Sequence, residues 1–220
     1  MALGSYFFRL LLDIFAPLFF VLMLMSFIIG INRLMTTYNR EKFSIVPFLV
    51  LMVNCFTWTL YGIETKEMAV YIANIFGLIV GIIGTIVYHH YSMYPPFISS
   101  YLVAFVFLLI AMLLFSANWI NTLGTMAVVL SVLLYGSPLV TVFTVISEAS
   151  TESMSLPLAI TSFISAVLWT LYGSYSVHDV WVVIPSILGL ILVSIQFFLF
   201  FVYGVSPQES WGSTFHHIYR

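Results

Sequence analysis

Charge is what this sequence has least of. Only 6% of its 220 residues are Asp, Glu, Lys or Arg, whereas 62% are hydrophobic, and soluble domains carry about 25% charged residues. So few charges do not cover a water-exposed surface, and the composition therefore predicts an integral membrane protein. The net charge is −2 and no basic run occurs, so a nucleic acid is not expected as a partner.

Cysteines and catalytic motifs are equally scarce. Cys55 is the only cysteine, so it forms no disulfide within the chain. No HExxH, GxSxG or P-loop motif occurs, and the histidines lie in predicted loops or in the tail without a metal-ligand spacing. We therefore expect neither an enzyme nor a bound metal or other cofactor. The centres of the apolar runs also lack a carboxylate, which argues against proton coupling, because proton relays usually need a buried titratable group.

Apolar runs of about 20 residues, the length that crosses a bilayer, are what the sequence has in abundance. Seven spans are predicted, at residues 12–34, 44–62, 68–89, 96–117, 123–146, 156–174 and 179–203. The first run is longer than a signal-peptide core of about 7–15 residues and no cleavage site follows it, so we expect it to be retained. Continuous runs argue against the alternating segments of a β-barrel and predict an all-α fold.

The chain contains a repeat. Residues 58–62 (WTLYG) return as residues 169–173, an offset of 169 − 58 = 111. Spans 1–3 then match spans 5–7, and span 4 is left over. Because each unit has three helices, a second copy that followed directly would cross the membrane in the opposite direction to the first. Span 4 makes one additional crossing, so that both copies run in the same direction. The pattern predicts two parallel three-helix bundles joined by a linker helix (3+1+3), a known transporter design.

This organisation divides the chain into domains and gives it an orientation. The first repeat is predicted at residues 1–92, the linker helix at 93–120, the second repeat at 121–204 and a cytosolic tail at 205–220. Lys and Arg in short loops mark the cytosolic side. Four of them lie on one side and two on the other. The four are Arg33, Arg40, Lys42 and Arg220, and the two are Arg9 and Lys66. This count places the N-terminus outside.

Polar side chains deep in the spans mark a candidate binding site, because each is costly in lipid. Asn74 in span 3 has Ser186 as its equivalent, at an offset of 186 − 74 = 112. Trp58 and Trp169 lie at a similar depth, roughly 6 Å inside their helix ends. Two indole rings and two hydrogen-bonding groups would meet between the repeats, which suits a neutral polyhydroxylated ring. The alternatives stay open that the indoles belong to an aromatic belt and that Asn74 and Ser186 join helices.

Two further groups of residues are candidates for conformational roles. Pro47, Pro138 and Pro157 lie in or at the ends of spans near the predicted cytosolic face, where a proline acts as a hinge or marks a helix end.

On the outer side, Tyr61 and Tyr172 are repeat equivalents, as are Glu67 and Asp179. A tyrosine hydroxyl that meets Asp179 would close the outer mouth. The alternative is a solvated carboxylate at the interface.

The sequence resembles the SWEET (MtN3/saliva) sugar transporters over nearly its whole length. The segments that carry the resemblance are residues 39–48 (NREKFSIVPF), 54–62 (NCFTWTLYG), 135–139 (YGSPL), 150–157 (STESMSLP) and 169–173 (WTLYG). Together they are specific, although no single segment would be.

The resemblance implies a seven-helix 3+1+3 fold and bidirectional facilitated diffusion of mono- or disaccharides. The positions it implies for the substrate pocket are Trp58, Asn74, Trp169 and Ser186. Those implied for hinges are Pro47, Pro138 and Pro157, and those for the outer gate are Tyr61 and Asp179. Two departures are visible. Phe27 stands where the family usually has a fourth proline, and Ser186 stands where it usually has asparagine.

The leading hypothesis is a sugar uniporter that works by alternating access, in the plasma membrane rather than an internal one. A homo-oligomer is left open. One alternative is an amino-acid carrier of the PQ-loop type, although the only Pro-Gln pair, Pro207–Gln208, lies in the tail. Another is a seven-helix cargo receptor of similar architecture.

Overall fold

The structure, a computed structural model, describes residues 2–36, 44–92, 97–151 and 153–205. Over these ranges the chain is helical and contains no strand. The helices are α1 (Ala2–Thr36), α2 (Val46–Glu64), α3 (Met68–Tyr91), α4 (Ile98–Ser116), α5 (Ile120–Leu134), α6 (Gly136–Glu148), α7 (Leu156–Leu171) and α8 (Val180–Tyr203), with a π-helical turn at Tyr172–Ser176. They form seven segments that are long and apolar enough to cross a membrane.

The seven predicted spans are confirmed, with some differences at their ends. Span 1 starts before residue 12, since α1 is already helical from Ala2. Arg9 and Asp13, which lie one turn apart in this extension, pair at 4.0 Å between Nε and Oδ2, a spacing that is compatible with a helix. Arg40, Lys42 and Arg220, on which the orientation depends, lie outside the described residues, as does the side chain of Arg33.

Span 5 is not one helix but two, α5 and α6, which meet at Tyr135. Pro138 has no N–H to donate to the carbonyl one turn earlier, so the regular hydrogen bonding is interrupted there. Pro47 and Pro157 lie in the first turn of α2 and α7, where a missing N–H is not needed. Of the three predicted hinge residues, only Pro138 therefore interrupts a span.

Span 6 ends differently from span 2, although the two are repeat equivalents. The Glu67 N–H donates to the Gly62 carbonyl at 2.9 Å, and the Asp179 N–H donates to the Gly173 carbonyl at 2.8 Å. These bonds are equivalent, but the second closes a segment that is one residue longer. The π-helical turn Tyr172–Ser176 accommodates the extra residue, as π-helical turns inside α-helices do. This is why the repeat offset changes from 111 to 112.

One buried cluster joins the two three-helix units. We call the face at which α2 and α7 end and α3 and α8 begin the Tyr61 face, and the opposite one the Pro47 face. The cluster lies towards the Tyr61 face. Its buried members are Leu12, Ala16, Trp58, Leu60, Tyr61, Ala69 and Val70 from the first unit, Ala111 from the linker, and Leu123, Ala127, Tyr172 and Val182 from the second.

Towards the Pro47 face, each unit has a core of its own. One cluster contains Phe48, Leu49 and Tyr88 of the first unit, and Leu130 is its one buried member from the second unit among the residues that the structure describes. The other includes Val145 and lies entirely in the second unit. The units therefore share a buried cluster at the Tyr61 face, while towards the Pro47 face the second unit has a core of its own and meets the first through Leu130 and Leu134 of α5.

Candidate functional site

Trp58 is held in the contact between the two units. It lies in the last turns of α2, is 6% exposed, and its Nε1–H donates to the Ser131 hydroxyl of α5 at 3.0 Å. The Ser131 hydroxyl has the Asn54 side-chain oxygen and the Ala127 carbonyl within reach as acceptors, both at 3.0 Å. The sequence reasoning did not single out Asn54 or Ser131. The sequence signal for this contact is Asn54, an amide inside predicted span 2, which lies four residues before Trp58 and therefore on the same face of the helix.

Trp169, the repeat equivalent of Trp58, is half-buried in the same cluster. Its Nε1–H is buried and has no hydrogen-bond partner among the residues that the structure describes. The repeat offset places Phe20 at the position equivalent to Ser131, since 131 − 111 = 20, and a phenyl ring offers no hydroxyl acceptor. A buried donor without an acceptor costs about 1–3 kcal/mol.

Asn74 and Ser186 occupy equivalent positions and make equivalent hydrogen bonds. The Asn74 side-chain N–H donates to the Val70 carbonyl, and the Ser186 hydroxyl donates to the Val182 carbonyl, both at 2.8 Å. Each bond stays within one helix, one turn back. The hydrogen bonds of these two groups therefore give no sign of the interhelical role that the sequence left open.

The broken span 5 contacts the helix that carries Ser186. The Tyr135 hydroxyl, at the junction of α5 and α6, donates to the Pro185 carbonyl at 2.7 Å. A side chain at Gly189 would collide with this ring, since a Cβ there would lie 2.9 Å from the Tyr135 hydroxyl. The junction next to Pro138 is thus tied to the residue that precedes Ser186.

Each tryptophan of the site contacts a tyrosine three residues later. The rings of Trp58 and Tyr61 meet edge to face at 5.5 Å, and those of Trp169 and Tyr172 meet in the same way at 5.4 Å. Edge-to-face contacts of this length are favourable. Displacement of either tyrosine therefore disturbs the tryptophan of its own unit.

The two tyrosines form reciprocal hydrogen bonds across the units. The Tyr61 hydroxyl donates to Asp179 Oδ2 at 2.7 Å, and the Tyr172 hydroxyl donates to Glu67 Oε2 at 2.9 Å. The structure thus forms the tyrosine–Asp179 contact that the sequence suggested. The Tyr172–Glu67 hydrogen bond was not predicted, although Glu67 had been recognised as the equivalent of Asp179.

A cavity of about 370 Å³ lies at the Tyr61 face beside these hydrogen bonds. Its lining includes Glu67, His178 and Trp181, together with the Tyr61–Asp179 pair. Among the described residues, no group of three His, Cys, Asp or Glu side chains is arranged to hold a metal ion. The contacts that join the units at this point are the hydrogen bonds between tyrosine and carboxylate side chains.

The chain is similar in sequence to proteins that are named as sugar transporters. A family model described as "Sugar efflux transporter for intercellular exchange" matches residues 10–96 and 121–208. The protein named Sugar transporter SWEET1 of Drosophila pseudoobscura pseudoobscura is 31% identical over 177 residues, which are 76% of each chain. The Bidirectional sugar transporter SWEET11 of Arabidopsis thaliana is 29% identical over 196 residues, which are 82% of this chain and 68% of the relative.

A solved structure has the same fold. It is described as the 3.7 Å resolution structure of a eukaryotic SWEET transporter, and it aligns with a TM-score of 0.72 at 20% identity, over 89% of this chain and 98% of that one. The likeness confirms the all-α fold with seven spans in a 3+1+3 arrangement.

Proposed function

This chain belongs to the SWEET (MtN3/saliva) family of sugar transporters, and we propose that it carries a mono- or disaccharide across a membrane in both directions, without an ion gradient. It is a multi-pass membrane protein of a transporter family rather than an enzyme. The plasma membrane is the proposed location, with the Tyr61 face and the N-terminus outside and the tail in the cytosol.

The observation that carries this proposal is the pair of equivalent tryptophans in the cluster between the two units, of which one has an N–H without a described partner. The Trp58 N–H is occupied by Ser131, so Trp58 offers a ligand its ring face, which suits the apolar C–H face of a sugar. Trp169 offers both a ring face and a hydrogen-bond donor for a sugar oxygen. Asn74 and Ser186 are the proposed polar partners at the same depth.

Alternating access is supported by the distribution of the buried clusters. The units share a cluster towards the Tyr61 face and have separate cores towards the Pro47 face. This arrangement fits a state that is closed outside. We propose that the Tyr61–Asp179 and Tyr172–Glu67 hydrogen bonds hold the outer gate shut, and that the other state forms when they break.

The proline hinges belong to the same proposal. Pro138 is the strongest candidate, because it interrupts span 5 at the Tyr135 junction. Pro47 and Pro157 begin helices, so their proposed movement is a change of angle between a loop and a helix. A gap of a few kcal/mol between the two states is enough for a bound sugar to shift their populations.

Uptake into proteoliposomes tests the function. Labelled glucose, fructose, sucrose and amino acids are offered with and without a proton or sodium gradient. We expect saccharide uptake and counterflow that need no gradient. Trp169→Phe should raise KM about two- to tenfold, the value of one hydrogen bond, whereas the exposed Trp119→Phe should not. Uptake of amino acids alone, or saccharide flux that requires a gradient, would overturn the proposal.

A further inference from the structure

We propose that Arg9 is a positioning residue of the outer gate, which holds Glu67 in place to accept the hydrogen bond from Tyr172. The gate itself belongs to the proposed function. The two gate hydrogen bonds are supported in different ways. A cation on α1 supports the Tyr172–Glu67 bond, and the N-terminus of α8 supports the Tyr61–Asp179 bond.

The first observation is that one oxygen atom receives two partners. Glu67 Oε2 lies 2.9 Å from the Tyr172 hydroxyl and 3.6 Å from an Arg9 terminal nitrogen. The second carboxylate near Arg9 is Asp13, one turn further along α1, at 4.0 Å. Arg9 thus links α1 to the start of α3 at the point where α3 contacts the second unit.

The two gate carboxylates are held in place by different groups. Asp179 Oδ1 accepts the Trp181 backbone N–H at 2.9 Å, an N-cap bond that fixes the side chain while Oδ2 receives Tyr61. Glu67 occupies the equivalent N-cap position of α3 but makes no side-chain capping bond. Its longer side chain therefore lacks the support that Asp179 has, and Arg9 supplies that support from another helix.

The repeat shows that this difference is built into the sequence. The offset of 111 places Ile120 at the position equivalent to Arg9 and Gly124 at that equivalent to Asp13. Asp179 takes part in no ion pair among the described residues, and its titratable neighbours in the cavity lining are Tyr61, Glu67 and His178. The second unit thus uses a capping bond where the first uses a cation.

This arrangement makes the Tyr172–Glu67 hydrogen bond the one that responds to salt. The Arg9 and Glu67 side chains are 51% and 23% exposed, and an exposed pair is weakened by screening. The N-cap bond of Asp179 is made within one helix end and depends less on ionic strength. Loss of Arg9 should therefore open the mouth through Tyr172 and not through Tyr61.

The opening is measured as a distance between spin labels in the full-length protein without sugar. Met68→Cys and Val180→Cys, in a Cys55→Ser background, place labels at equivalent first residues of α3 and α8, which are 62% and 63% exposed. We expect Arg9→Gln to raise the ratio of open to closed mouths about two- to fivefold, the range of one exposed ion pair. Arg9→Lys should restore much of the closed population.

Double variants separate positioning from a general effect on the fold. Arg9→Gln should add nothing to Tyr172→Phe, because the hydrogen bond that it supports is already gone. In the matched control, Arg9→Gln should multiply the effect of Tyr61→Phe. Salt at about 1 M should reproduce Arg9→Gln in the otherwise unchanged protein.

An unchanged distance distribution in Arg9→Gln would overturn the proposal, as would effects of Arg9→Gln and Tyr172→Phe that multiply as independent events. Because this readout needs no sugar, it is separate from the proposed function. If Arg9→Gln opens the mouth through Tyr172 but no saccharide is taken up, the proposed transport function is wrong and the proposed role of Arg9 is supported.

Discussion

Single residues show how equivalent positions of a repeat acquire different chemistry. Trp58 and Trp169 are the same residue in the same pentapeptide, and both lie in the cluster between the units. Trp58 is satisfied by Ser131, whereas the Trp169 N–H has no described partner. At the position that the repeat makes equivalent to Ser131, the other unit has Phe20, which offers no hydroxyl acceptor. In the proposed binding site, Trp169 would therefore offer a sugar a hydrogen-bond donor that Trp58 does not.

Replacement of Ser131 by alanine leaves the buried Trp58 N–H without its acceptor. We expect the free energy of unfolding to fall by about 1–3 kcal/mol and the KM for saccharide uptake to rise, because the ring loses its orientation. Thermal unfolding in detergent and uptake measure the two effects. Ser194→Ala is the matched control, since the Ser194 hydroxyl is exposed and bonds within its own helix. Equal melting temperatures for both variants would contradict this interpretation.

Secondary-structure elements show where the two units depart from symmetry. Span 6 ends in the π-helical turn Tyr172–Ser176, whereas span 2 ends as an α-helix at Glu64. Span 5 is broken at Tyr135, whereas its equivalent, α1, continues without a break past Pro17. In the second unit, both departures lie next to residues proposed to move, Tyr172 in the gate and Pro138 in the hinge. π-helical turns are frequent at functional sites.

Deletion of Ser174 should be tolerated, because the first unit joins the same two helices with one residue fewer. We expect the π-helical turn to become α-helical and the melting temperature to stay within a few degrees of the original. Deletion of Ala166 is the control. A deletion inside α7 rotates everything after it by about 100° and should abolish folding. Two deletions with the same loss of stability would show that the extra residue is needed for the fold.

At the scale of the whole molecule, the two faces differ in how the units are packed. The shared cluster and both tyrosine–carboxylate hydrogen bonds lie towards the Tyr61 face, while each unit has its own core towards the Pro47 face. A rigid-body rotation of one unit against the other can exchange these roles, since each unit keeps its core as it moves. Which face meets the cytosol decides which gate the hydrogen bonds close.

Epitope tags test this orientation. In intact cells with the protein at the surface, a tag before Met1 should be accessible to antibody, and a tag after Arg220 should become accessible only after permeabilisation. The physical reason is the excess of Lys and Arg in the loop after α1 and in the tail. The reverse pattern would place Tyr61 and Asp179 at the cytosolic mouth.

Much of the fold follows from local properties of the sequence. Span length, the 111-residue repeat and the odd number of helices per unit predict the 3+1+3 arrangement, because hydrophobic length and parity need no knowledge of contacts. The same repeat places Trp58 with Trp169 and Tyr61 with Tyr172 at equal depths. The domain boundaries and the roles of the site residues stay predictions.

The sequence by itself determined that seven apolar spans form two parallel three-helix units and a linker, and which residues of those units are equivalent. Only the tertiary structure decided that Trp58 bonds to Ser131, 73 residues away, and that Tyr172 and Arg9 meet on Glu67. Hydrogen-bond partners depend on how each helix is rotated about its axis and how far it has shifted along it. A repeat fixes neither, and a single inserted residue, such as the one in the π-helical turn, alters both.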